Sequence, residues 1–174
     1  MSKFFFVRHL PTEWNKSGLL QGSINIPISK LSVEDKTKIT SNIDVLRQHK
    51  FDIVLTSSLI RAQQTANEYG YKSFKIEPLL DELNFGKYEG KSKTDLIKES
   101  NGQWIENPSS LILGESMQNF EKRLKSFFIS YRAYKKILVF GHGAVIRGLI
   151  SIKNEKNIAM MNKNEIKNNS ITVI

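Results

Sequence analysis

The chain has 174 residues, 40 % of them apolar, which is enough for one domain with its own core, and no cysteine, which excludes a disulfide framework, a thiolate metal site and a cysteine nucleophile. A formal net charge of +9 invites comparison with nucleic-acid binders, but the excess is lysine spread through NKNEIKNN, KSKTDLIK and YKK, without interleaved aromatics or a known nucleic-acid module. Solvated surface lysines are the simpler reading, and the field they create concentrates small anions. The opening MSKFFFVRH meets charge too soon for a secretory leader, and no apolar run approaches a membrane span. A cytoplasmic protein with no membrane or nucleic-acid partner is expected.

In chain order, residues 3–8 form an apolar strand that runs into Arg8-His9. Ser32 and Asp35 form a capping box at the head of LSVEDKTKITSNIDVLRQH, with Val33, Ile39, Ile43 and Leu46 as its apolar stripe. His49 follows that helix as a solvated residue. DIVLT, residues 52–56, is a second strand that breaks at Ser57-Ser58. It leads into a helix with Leu59, Ala62 and Ala66 on one face and Gly70 as its stop. NGQWIENPSSLILGES is polar and loop-like, suited to a flap, with Trp104 belonging either to core or to lid. Ser116 caps the next helix, whose Met117, Phe120, Leu124, Phe127 and Phe128 face the core. ILVF, residues 137–140, ends at Gly141-His142-Gly143 and passes into the helical AVIRGLI, where Arg147 reads as structural. SITVI is a last strand.

Short continuous apolar runs followed by helices predict an α/β fold with buried parallel strands and crossovers. In such sheets ligands collect beyond the carboxyl ends of the strands, so Arg8, His9, Arg61 and His142 are expected on one rim although distant in sequence. These residue types suit phosphoryl transfer without a metal. Guanidinium forks match phosphate oxygens and stay charged. One histidine can be the nucleophile if its other ring nitrogen is held by an acceptor. A second, protonated histidine can stabilise the equatorial oxygens, and Gly143 leaves room for a helix-start N–H to approach the same anion. A carboxylic acid must protonate the leaving oxygen and then, as carboxylate, activate water. Asp81, Glu82 and Glu89 lie close together as candidates.

Arg8-His9 with Thr12 and Trp14-Asn15 resembles the signature of the histidine phosphatase superfamily, the phosphoglycerate-mutase-like enzymes. LQGSINIPIS, TSSLIRAQQTA, LLDELNFGKYEGK, GES before a helix, and FGHGAVIRGLI resemble further blocks of that family in the family's order. The resemblance implies a three-layer α/β/α fold with a mostly parallel central sheet over a single domain, 1–174. It implies His9 as nucleophile, Arg8, Arg61 and His142 on the phosphoryl oxygens with Asn15 assisting, and Glu82 as proton donor. Thr12, Gln21, Gly22 and Gly143 would lie at the substrate, and no metal or organic cofactor is expected.

The chain departs from the family at Leu10-Pro11, where glycine and then glutamate or glutamine are usual. Leucine works there only with negative φ and somewhere to pack, and proline fixes φ and removes an N–H. The expectation is altered specificity. The short chain favours a phosphatase of small phosphomonoesters, similar to alpha-ribazole and broad-specificity phosphatases, with a phosphorylated metabolite as partner. Mutase-type transfer and a catalytically silent phosphate-binding protein are the alternatives.

Overall fold

The computed structural model describes residues 2–174. In order, its elements are β1 (Lys3–Arg8), α1 (Glu13–Lys16), α2 (Val33–Arg47), β2 (Ile53–Thr56), α3 (Ile60–Glu68), β3 (Lys75–Ile76), α4 (Lys93–Glu99), α5 (Gln103–Glu106), α6 (Met117–Tyr131), β4 (Lys136–Gly141), α7 (Gly143–Glu155) and β5 (Ile171–Val173). The strands form a five-stranded sheet ordered β3-β2-β4-β1-β5. All neighbours are parallel except β5, which runs antiparallel to β1.

The central strands are apolar along their middles, Phe4–Val7 and Ile137–Phe140, because both of their faces are covered there. Side chains alternate across the sheet: Phe4 and Phe6 of β1 join Ile137 and Val139 of β4 in one core, under Phe120, Leu124 and Phe127 of α6 and Val145 and Leu149 of α7. Phe5, Val7, Leu138 and Phe140 point the other way, onto Ile39 and Leu46 of α2 and Ala66 of α3. This is the expected α/β/α sandwich with a mostly parallel sheet. The Ser32–Asp35 capping box and the Ser116 cap form where expected. No described helix is long and apolar enough to cross a membrane.

Three local expectations are corrected. Val33 is 83 % exposed, because the first residue after the cap faces solvent while Ile39 and Leu46 carry the buried stripe. His49 is half-buried, its ring centroid 4.6 Å from that of Phe5, so it packs instead of being solvated. The 101–116 segment is no flap: it holds α5 and a 3₁₀ turn at Pro108–Ser110. It is anchored by Trp104, buried against Phe85 at 5.7 Å between centroids. Beyond these, α4 opens with its own capping box at Ser92 and Asp95, the same four-residue pattern that marks α2.

A buried polar network ties the outer helices to the end of β1. Asn42 of α2 donates to the Tyr69 hydroxyl at 2.7 Å and to the Asn169 carbonyl at 2.8 Å. Tyr69 in turn donates to Asn169 Oδ1 at 2.6 Å. Burial pushes the Tyr69 hydroxyl up to about 12, so it stays a donor. The Asn169 N–H reaches the carbonyls of Arg8 and His9 at 3.1 and 3.4 Å. Removing Asn42 leaves a buried hydroxyl and a buried carbonyl without that donor. Asn42→Ala should therefore lower unfolding free energy by about 1–3 kcal/mol, read from urea midpoints.

Candidate active site

The sheet order does the gathering. Thr56 pairs with Phe140, and Arg8 with Gly141, so the residues that follow β2, β4 and β1 emerge side by side at the carboxyl end. These are Ser57, His142 and His9. His142 Nε2 lies 2.6 Å from Ser57 Oγ, and the two imidazole centroids are 5.3 Å apart. The His9 N–H donates to the Gly141 carbonyl at 2.9 Å. Both rings are almost fully buried.

His9 Nδ1 lies 2.7 Å from the Leu10 carbonyl oxygen. A carbonyl only accepts, so Nδ1 carries the proton and Nε2 keeps its lone pair. The Leu10 N–H, in the preceding peptide, donates to Thr65 Oγ1 at 2.9 Å, which fixes the Leu10 backbone from α3. Leu10 is absent from the residues with positive φ, and its side chain is fully buried in the α2/α3 core. The following Pro11 holds Leu10 in extended backbone, and its carbonyl accepts from the Ser29 N–H at 2.8 Å. Neither Leu10 nor Pro11 lines the cavity described next. The departure from the family pattern thus sits behind the histidine, in packing.

In front of His9 is a cavity of about 80 Å³ lined by Arg8, Asn15, Gln21, Gly22, Arg61, Glu82, Gly143 and Arg147, among others. Arg61 is fully buried and pinned by the carbonyls of Gly22 and Ile24, both at 2.7 Å. Gly22 is required there: its φ is +54°, and a Cβ would lie 2.1 Å from Glu89 Oε1. Arg8 reaches the Ile166 carbonyl with Nη1, and its Nε has no partner among the described residues. Gly143 has both arginines against it, since a Cβ would meet Arg8 Nε at 3.3 Å and Arg147 Nη1 at 3.4 Å.

The three acidic candidates separate by what they hold. Asp81 accepts from the Ser58 N–H at 2.7 Å. Glu89 accepts from the N–H and hydroxyl of Ser23 at 2.8 and 2.9 Å. Glu82 alone of the three lines the cavity, where it accepts from the Ala144 and Val145 N–H groups at the start of α7, at 3.1 and 3.3 Å. Of the first-turn donors, that of Gly143 is the one Glu82 leaves.

Thr12 is fully buried and does not line the cavity; its hydroxyl caps α1 and lies 2.9 Å from Gln21 Oε1. It sits behind Asn15 and Gln21, both of which do line it. His142 also lies outside the lining, one layer behind His9, and its Nδ1 is buried without a partner among the described residues. Arg147, expected to be structural, instead lines the cavity. The signal was available: it stands four residues after Gly143 on a helix, where side chains lean back over the preceding turn. Among the described residues, no group of three His, Asp or Glu side chains is placed to hold a metal ion.

Burial lowers both histidines well below their ordinary range, with the Arg61 guanidinium the next cause for each. Both are neutral at pH 7. For His9 that suits a nucleophile, whereas the protonated second histidine expected at the site must gain its proton when an anion arrives. Arg8 and Arg61 are lowered by burial to about 10, with Glu82 opposing the shift, and remain charged.

The family model of the "Histidine phosphatase superfamily (branch 1)" matches residues 4–174. The chain belongs to that superfamily, and is a hydrolase of the histidine phosphatase kind. An adenosylcobalamin/alpha-ribazole phosphatase of Salmonella typhimurium is 31 % identical over 161 residues, covering 86 % of this chain and 78 % of the relative. A 2,3-bisphosphoglycerate-dependent phosphoglycerate mutase of Methanococcus vannielii is 26 % identical over 208 residues, covering 95 % and 87 %. Among solved structures, the alpha-ribazole phosphatase of Shigella flexneri superposes with a TM-score of 0.79 at 26 % identity, covering 98 % of this chain and 89 % of that one.

The buried histidines make stability depend on pH in a defined direction. Their folded pKa lies below the unfolded value near 6.5, so their contribution is complete above that pH and is lost as pH falls. Urea unfolding between pH 7 and pH 5 should show a loss approaching about 1.4 kcal/mol per pH unit for each histidine. His142→Asn should remove about half of that slope. A profile that stays flat across the interval would contradict the neutral buried pair.

Proposed function

We propose that this chain is a metal-independent phosphatase of small phosphomonoesters, with residues 1–174 acting as one cytoplasmic domain. One observation carries the reading: the Leu10 carbonyl holds His9 Nδ1, leaving a neutral Nε2 free beside two buried guanidinium groups. The small cavity suits a phosphoryl group whose oxygens are met by Arg8, Arg61 and the Gly143 N–H, with Asn15 beside them. Positive charge for the transition state then comes from side chains and backbone.

In the first step Nε2 of His9 attacks phosphorus, the bond to the ester oxygen breaks, and the Glu82 carboxyl gives that oxygen its proton, releasing an alcohol. When the dianionic ester binds, its charge acts on His142 from the neighbouring cavity, and the proton that His142 then takes from solvent goes back to solvent when inorganic phosphate leaves. In the second step the Glu82 carboxylate takes a proton from water, the water oxygen bonds to phosphorus, and the bond to Nε2 breaks. Inorganic phosphate leaves, and His9 and Glu82 regain their starting states. Gln21 and Gly22 border the path by which the ester enters, and Thr12 acts by positioning Asn15 and Gln21.

The substrate is a small phosphorylated metabolite; the alpha-ribazole phosphatases among the relatives support that class. A mutase differs only in that the phosphohistidine meets a second hydroxyl in place of water. Phosphate release from a panel of phosphomonoesters, in EDTA and with isomerisation followed in parallel, should fall at least about 10³-fold in His9→Ala. Glu82→Gln should slow alkyl phosphates more than activated aryl phosphates, which leave without a proton. Wild-type rates in His9→Ala would remove the nucleophile, equal slowing of both ester types would remove the proton donor, and isomerisation without release would establish the mutase.

A further inference from the structure

Beside the catalytic cavity opens a larger cleft of about 630 Å³, and the two share Arg8, Leu20 and Arg147 as a common wall. Its charge is lopsided. Lys93 at the head of α4, Lys163 and Lys167 join the two arginines, against the single carboxylate of Glu165. Two polar groups in its wall are also unspent: Trp104 Nε1 is buried without a partner, and so is Asn162 Oδ1, although Asn162 Nδ2 donates to the Trp104 carbonyl at 2.6 Å.

Arg147 is the informative residue. Arg123, a structural arginine, shows what this chain does with a guanidinium that serves packing: it grips the Glu115 carboxylate at 2.8 and 3.1 Å and the Leu79 carbonyl at 2.8 Å. Arg147 has no hydrogen bond and no ion pair among the described residues, and its Nε is buried. A guanidinium held in a wall with its donors unmatched is costly unless an anion completes it. Arg147 Nη1 also lies beside Gly143, next to Arg8, so an anion that it binds is a near neighbour of the phosphoryl group.

We propose that this cleft is a subsite for a second anionic group on the substrate, a carboxylate or a further phosphate, held by Arg147 with Lys93 at the rim. Building on the phosphatase reading, it assigns the preferred substrates to phosphomonoesters that carry a second anion a few atoms from the ester oxygen. Arg147 supplies a planar fork for that anion, and Lys93 adds an accessible point charge. Trp104 Nε1–H is a further donor on the same wall.

Matched pairs test this: 3-phosphoglycerate against glycerol 3-phosphate for a carboxylate, and fructose 1,6-bisphosphate against fructose 6-phosphate for a phosphate. The wild type should favour the charged member of at least one pair about tenfold or more in kcat/KM, and the favoured pair names the anion. Arg147→Gln should lower that ratio about tenfold, chiefly through KM, and Lys93→Gln, at an exposed position, should lower it by a smaller factor. A packing role for Arg147 would slow both members equally and leave the ratio unmoved. Equal rates within both pairs in the wild type, or ratios unchanged in both variants, would overturn the subsite while His9-dependent release kept the phosphatase reading intact. Loss of that reading would show separately, as release that does not require His9.

Discussion

The site is organised around buried positive charge that the protein does not neutralise. Arg61 is fully enclosed, Arg8 is largely so, and neither has a salt bridge among the described residues. Removing guanidinium groups from water is expensive, and here the offset comes only in part from the carbonyls of Gly22, Ile24 and Ile166. What remains is a fixed field in a small cavity. That field, with burial, keeps both histidines neutral, and it is relieved when a dianion arrives. In the proposed reaction, affinity for a phosphoryl group and a nucleophile with a free lone pair are thus two effects of one arrangement.

The fold is what permits such an arrangement. β1 and β4 are central, parallel and adjacent, so the turns that follow them diverge to helices on opposite faces and leave a crevice between. His9 stands on one lip and His142 on the other. Asn169, Thr65 and Leu10 then fix the His9 backbone from three directions, each through a hydrogen bond or packing contact made outside the cavity. The position of His9 is thus set by residues that do not line the cavity.

Much of this is legible in the sequence, and for physical reasons. Apolar runs at 3–8, 53–56 and 137–140 are buried on both faces, so they show up as continuous blocks, and the polar residue that ends each block falls at the sheet rim. The family pattern adds Glu82, which local spacing alone left tied with Asp81 and Glu89. The fold separates the three by position: Asp81 is held by Ser58 and Glu89 by Ser23, and Glu82 lines the cavity. Harder to see were residues whose role depends on tertiary neighbours. Val33 fits a helical stripe but meets only solvent, and His49 looks solvated but finds the Phe5 ring. Leu10-Pro11 reads in the sequence as a change of specificity at the pocket, whereas Leu10 packs into the core and offers only its carbonyl to the site. Arg147 reads as structural in the sequence, yet the lean of helical side chains carries it back to the cavity.

The most direct test is to trap the intermediate. Rapid quench of the enzyme with a labelled phosphomonoester into base, followed by peptide mapping and phosphorus NMR of the labelled peptide, reads both the residue and the ring nitrogen. The account predicts one label, on Nε2 of His9, because the Leu10 carbonyl occupies Nδ1. Label on His142, label on Nδ1, or rapid turnover with no phosphohistidine at any time would contradict it.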